Sequence, residues 1–122
     1  VLDVRLLKNE PLILLHPQQR IRHVSDAILA KARITPNIVL ILKNYETAQH
    51  LAGQGIGITF LPMEYAALTS ADHPPVLLSL DESYSPSWDL SIATLKGGLL
   101  SSADQYFLEL VRQTFAQEPN DK

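Results

Sequence analysis

Apolar positions along the chain come in short blocks separated by polar, proline-marked or glycine-marked breaks. Leu12, Ile13, Leu14 and Leu15 follow Pro11 without polar interruption, the signature of a strand buried on both faces. His16-Pro17 ends it, because proline removes a backbone donor and fixes φ. Val24, Ala27, Ile28 and Ala32 then recur at helical spacing and predict a helix from about Arg20 to Arg33, stopped by Pro36. A second apolar, β-branched block from Ile38 to Leu42 predicts another buried strand.

Asn44 is a suitable N-cap for a short helix from about Tyr45 to Ala52, and Glu46 places negative charge in its first turn. Gly53 and Gly55 can end that helix. Strands are expected over Ile56 to Leu61, Val76 to Leu80 and Trp88 to Lys96, with a short helix from Met63 to Leu68 between the first two. Thr69 to Pro75 has loop composition, and Gly97-Gly98 marks a turn. Ser102 and Gln105 fit a capping box opening a last helix, whose stripe is Phe107, Leu110, Val111 and Phe115; the tail from Glu118 to Lys122 is expected to fray. Strands alternating with helices at this spacing predict an α/β unit with a mainly parallel sheet.

Composition narrows the function. In 122 residues, 46% hydrophobic and 19% charged, about two thirds of the unfolded surface can be buried, so one real core is expected. A net charge of −3 provides no basic footprint for gripping nucleic acid. The absence of cysteine excludes disulfides, thiolate chemistry, Cys-type zinc sites and iron–sulfur clusters. No signal-peptide pattern and no apolar run near 18 residues is present, so no membrane span is expected. The chain opens on the apolar Val1, with neither Met nor a polar lead-in, and is therefore expected to be a piece of something longer.

The obvious chemical motifs fail on spacing or order. Gly53, Gly55 and Gly57 form G-x-G-x-G, but a phosphate cradle needs strand, glycines and then a helix N-terminus. These glycines follow a helix and lead into a strand, so a helix stop and tight turn is the better reading. Glu46 and His50 share a helix face, yet lack a third metal ligand, so no metal or cofactor is assigned. No G-x-S-x-G elbow exists, and His23, Ser25 and Asp26 point in different directions on one helix. A phospho-acceptor domain would need acidic strand ends, whereas these ends carry His16, Lys43 and Leu61. No catalytic residues are assigned, and an enzyme is not expected.

In an open parallel sheet, ligands bind beyond the carboxyl ends of the strands. Two such ends carry hydrogen-bonding groups and a cation beside helix N-termini: His16-Pro17-Gln18-Gln19-Arg20 and Asn44-Tyr45-Glu46-Thr47. A third is Leu61-Pro62-Met63. Helix capping and loop filling would also account for these residues.

The most specific segment is Leu51-Ala52-Gly53-Gln54-Gly55-Ile56-Gly57-Ile58-Thr59-Phe60-Leu61-Pro62. It resembles the "L-V-A-A-G-x-G-I-x-x-L-P" segment of the effector-binding domain of LysR-type transcriptional regulators. Upstream, Val4 to Leu7 looks like the family's short "D-L" helix, followed by the strand Pro11-Leu12-Ile13-Leu14. A loop with Arg20 or Arg22, a helix, and Pro36-Asn37-Ile38-Val39 for "P-x-I-V" come next. Downstream, Ser101, Ala103, Phe107 and Val111 resemble the closing "S-x-A-x-x-F-x-x-x-L" helix, with valine in place of leucine. Ala52 and Gln54 depart from the usual valine and alanine.

That resemblance implies a periplasmic-binding-protein-like (type II) α/β lobe, with residues 1–87 as the second lobe of the effector domain and a hinge about 81–90. Residues 88–122 would supply a return strand and helix belonging to the first lobe. A small-molecule effector, for which an anion is suited, would bind in the inter-lobe cleft. Ligand candidates are His16, Pro17, Gln18, Arg20, Asn44, Tyr45, Thr47, Phe60 and Pro62. The resemblance further implies a cytoplasmic homo-oligomer, dimer or tetramer, that meets DNA only through a helix-turn-helix outside these residues. An apolar surface on Trp88 to Phe115 is expected, covered in a second copy. The alternatives are a lobe of a solute-binding receptor and a small α/β enzyme.

Overall fold

The computed structural model describes residues 1–66, 72–84 and 91–116. The chain divides into two compact units, Val1–Asp89 and Leu90–Lys122.

The first unit is built around strand β1 (Pro11–Leu15), the centre of a three-stranded parallel sheet. Residues Leu12 to Leu15 are all buried, as the uninterrupted apolar run predicts. A 3-10 turn (Val4–Leu7) precedes it, capped by Asp3, whose carboxylate accepts the Arg5 N–H and pairs with the Arg5 guanidinium at 2.8 Å. Helix α1 (Arg20–Lys31) crosses over to β2 (Asn37–Leu42); helix α2 (Tyr45–Gly53) leads to β3 (Ile58–Thr59) on the other side of β1. A short helix α3 (Met63–Ala66) follows, and the expected continuation of this helix to Leu68 lies outside the described residues.

Alternation along β1 divides the core. Leu12 and Leu14 pack with Val4, Leu7, Ile28, Leu29 and Ile34; Ile13 and Leu15 pack with Ile21 and Ala48. Phe60 packs against both groups. The buried side of α1 is Ile21, Ser25, Ile28 and Leu29, a stripe displaced from the expected one, with Ala27 exposed and Val24 and Ala32 only half-buried. The displacement follows from serving both core groups, so Ser25 is tolerated inside because its hydroxyl donates to the Arg22 carbonyl at 3.0 Å.

Strand β2 corrects a sequence expectation: among the described residues it is an edge strand, and Val39 and Ile41 are 43% and 53% exposed. Its register against β1 steps from Leu12↔Ile38 to Ile13↔Leu40, so Val39 is an extra residue, a bulge. The bulge reverses the facing of the residues beyond it. Ile38 packs with the Leu12 group, whereas Leu40 and Leu42 pack with the Ile13 group.

Strand β3 is shorter than Ile56 to Leu61 because Gly55 sits in the left-handed region at φ 78° and only Ile58 and Thr59 pair. Gly57 permits that pairing: a Cβ there would lie 2.8 Å from the Pro11 carbonyl oxygen. The expected strand Val76 to Leu80 does not form. One parallel bridge joins Leu2 to Leu80, with the Leu2 N–H donating to Ser79 at 2.7 Å, and Val76, Leu77 and Leu78 are exposed. A strand needs a ladder partner, and among the described residues this segment gains one only at its end.

In the second unit, residues 91–96 form no strand either, and Trp88 lies outside the described residues. Ile92 and Leu95 are exposed, so among the described residues of the unit nothing rewards a pleated conformation. Gly97, at φ 74°, makes the expected turn, closed by Gly98 N–H donating to the Leu95 carbonyl. Helix α4 (Ser102–Ala116) is opened one residue earlier than expected. Ser101 Oγ accepts the Asp104 N–H at 3.1 Å while Asp104 accepts the Ser101 N–H at 2.9 Å, a reciprocal capping pair. Of the expected stripe, Phe107, Leu110 and Phe115 are exposed and Val111 is half-buried. The segment expected to fray, Glu118 to Lys122, lies outside the described residues.

Candidate functional site

At the carboxyl end of β1 the ladder runs one step beyond the strand, His16 N–H donating to the Leu42 carbonyl at 2.8 Å. The chain then turns, Gln19 N–H donating to the His16 carbonyl at 2.9 Å, and Pro17 and Gln18 stand exposed at the tip. Arg20 is exposed at the first position of α1. Arg22, the other arginine of this loop, is committed internally: its Nε donates to Asp26 at 2.9 Å and its Nη1 to the Leu15 carbonyl at 3.1 Å. With its side chain only 13% exposed, Arg22 holds the end of β1 rather than presenting a cation to solvent.

At the carboxyl end of β2, Asn44 caps α2 as its sequence position predicts, with Oδ1 accepting the Thr47 N–H at 2.8 Å. Thr47 is exposed and Tyr45 half-buried. The Tyr45 ring lies 4.5 Å from that of Tyr65, tilted by 30°. Burial pushes the Tyr45 hydroxyl above the ordinary tyrosine range, helped by the neighbouring Tyr65. Gln49 is 5% exposed and donates to the Tyr65 carbonyl at 3.0 Å, fixing α3 against α2. Tyr65, which the sequence alone did not single out, thereby joins Asn44, Tyr45 and Thr47.

At the end of β3, Phe60 is half-buried in the core and Pro62 is buried. A narrow crevice lined by Ile13, Leu15, Ile21, Ser25, Thr59 and Phe60 is closed to water, and the Thr59 hydroxyl oxygen within this region is buried without a hydrogen-bond partner. His50, the other half of the Glu46 pair, faces the Gln54 amide at 2.9 Å. Among the described residues no group of three His, Cys, Asp or Glu side chains is arranged to hold a metal ion. No described helix is long and apolar enough to cross a membrane.

One further contact joins the first two ends. Gln19 Nε2 donates to the Lys43 carbonyl at 2.5 Å, bridging the turn that bears His16 and the residue that precedes Asn44. Gln19 was visible in the sequence only as one more polar residue before a helix.

A small parallel sheet flanked by helices, with polar strand-end loops beside helix N-termini, is the architecture of a periplasmic-binding-protein-like ligand domain. Residues 1–116 match the family model of the LysR substrate binding domain, and the chain belongs to that family. It is 29% identical over 114 residues to the uncharacterized HTH-type transcriptional regulator YcgK of Bacillus subtilis (strain 168). That alignment covers 93% of this chain and 34% of the relative, so the chain spans about a third of the length of the curated relative it matches. No solved structure matches the chain significantly.

Proposed function

We propose that the chain is the effector-sensing part of a LysR-type transcriptional regulator, acting in the cytoplasm and without chemistry on its ligand. The carrying observation is the family match over residues 1–116, supported by similarity to an HTH-type regulator. Residues 1–87 serve as the second lobe and residues 88–122 as elements of the first, with a hinge about 81–90, of which residues 85–90 lie outside the described residues. The effector is a small molecule, for which an anion is suited, held in the cleft between lobes. Its contacts on this lobe are His16, Pro17, Gln18 and Arg20 from one loop and Asn44, Tyr45 and Thr47 from the next, with Phe60 and Pro62 at the end of β3. Exposed amide and hydroxyl groups and the half-buried His16 imidazole beside two helix N-termini support this assignment.

Effector binding shifts a population between lobe arrangements, which alters the geometry of a homo-oligomer, dimer or tetramer, and hence DNA binding by a helix-turn-helix domain elsewhere in the protein. The test is to replace Asn44 with Asp and Thr47 with Val in the intact regulator. Loss of the transcriptional response with DNA binding preserved supports the reading, and an unchanged response removes both residues from the site.

A further inference from the structure

We propose that Gln19 is the positioning residue of this site, the tie through which the loop after β1 and the loop after β2 behave as one unit. The inference rests on the sensing reading above for what the loops contact, but the tie itself is a matter of geometry. The two loops lie 24 residues apart in sequence, and the Gln19 side-chain amide spans them by donating to the Lys43 carbonyl. The backbone of Gln19 is itself anchored in its turn by donation to the His16 carbonyl. The Lys43 carbonyl immediately precedes Asn44, whose side chain sets the first turn of α2 through Thr47. Beside the backbone bond from His16 to the Leu42 carbonyl, which belongs to the β1–β2 ladder, the Gln19 amide is the side-chain link by which a displacement of the turn reaches Asn44 and Thr47.

Two features separate this role from ordinary helix capping. Gln19 occupies the N-cap position of α1 yet makes no side-chain capping bond to that helix; its amide is turned toward the neighbouring loop. Its Oε1 is buried without a partner, a cost that methionine or leucine would not carry at nearly the same volume. An amide with one end unsatisfied adds little to bare stability, and its use here is the cross-loop bond. Arg22 holds the other side of the same turn by donating to the Leu15 carbonyl, so the turn is fixed to β1 independently and to the second loop through Gln19.

The experiment is hydrogen exchange by mass spectrometry on the intact protein, without ligand, comparing the parent with Gln19→Met and Gln19→Glu. Both variants lose the amide donor, Met without adding charge. Peptides spanning 16–19 and 43–48 should exchange roughly five- to tenfold faster, the effect of one lost local hydrogen bond, while peptides within 24–32 stay unchanged. Unchanged exchange at 43–48 in both variants would overturn the tie. So would an equal acceleration across all peptides, which would reduce Gln19 to a contributor to global stability. Because no effector is present, failure here is separate from failure of the sensing reading, which the Asn44 and Thr47 replacements decide.

Discussion

Asn44 accepts the backbone N–H of Thr47 at 2.8 Å, and these two residues are both the cap of α2 and members of the proposed site. Structural and ligand roles can be separated because aspartate and serine cap helices about as well as asparagine. Asn44→Ala should cost about 1 kcal/mol by denaturant unfolding, and Asn44→Asp should cost much less. If both variants lose stability equally, the cap is not the source of the effect.

Gly57 should be the least replaceable glycine between α2 and β3. A Cβ there meets the Pro11 carbonyl at 2.8 Å and Ile13 Cγ1 at 3.1 Å, inside the sheet. Gly57→Ala should destabilise by about 1–3 kcal/mol. Gly55 has nothing within 4 Å of such a Cβ and carries only the strain of φ 78°, so Gly55→Ala should cost about 1–2 kcal/mol without disturbing β1–β3 pairing. The amide spectrum of Leu12 and Ile13 distinguishes the two.

The central and edge strands should respond unequally to the same truncation. Leu14→Ala at a site 1% exposed should cost roughly 2–5 kcal/mol, whereas Ile41→Ala, 53% exposed on β2, should cost no more than about 1 kcal/mol. Comparable losses at both positions would mean that the outer face of β2 is covered in solution.

Titration of α4 should be visible at acid pH. Hydrogen bonds from the Ser101 hydroxyl and N–H hold the Asp104 carboxyl below the usual carboxylate range. A depressed native value means that its stabilising contribution is present above the unfolded value of about 4 and lost as pH falls through the native one. Helicity of residues 102–106 should therefore decline below about pH 4 in the parent. In Asp104→Asn that acid-dependent step should vanish, as followed by NMR shifts.

Tyr45 should titrate above the free-tyrosine value of about 10, because burial disfavours the phenolate and Tyr65 lies beside it. A raised native value favours the fold below the unfolded value, and that advantage is lost as pH rises through the native one. Ultraviolet titration of the parent against Tyr45→Phe isolates this hydroxyl; a normal value would mean that the ring is wetter than its packing on Tyr65 indicates.

Much of the fold was legible because it rests on local rules. The run Leu12 to Leu15 reads as a buried strand, Asn44 as the cap of the helix after it, and the glycines after Ala52 as the stop of that helix. The family match over 1–116 accords with the ordered motifs from Pro11 to Val111. The strand-end loops proposed for ligand contact follow from the topology that strand and helix alternation imposes.

Other properties depend on what lies across space. Apolar residues at 38–42 read as a buried strand, but the single-residue bulge at Val39 and the outer position in the sheet leave Val39 and Ile41 exposed. Val76 to Leu80 has strand composition with a ladder partner only at its end, among the described residues. Arg20 and Arg22 matched the family's basic loop residue equally, and only the fold shows Asp26 and the Leu15 carbonyl occupying the Arg22 guanidinium. Sequence by itself determined the order of the elements from β1 to β3 and the Asn44 cap, because propensity and periodicity act within a few residues, while its ordered motifs carried the resemblance to the family. Tertiary structure alone decided which strand is central, which arginine is committed and that Gln19 reaches Lys43, because hydrogen bonds and burial between distant segments exist only once the chain has folded.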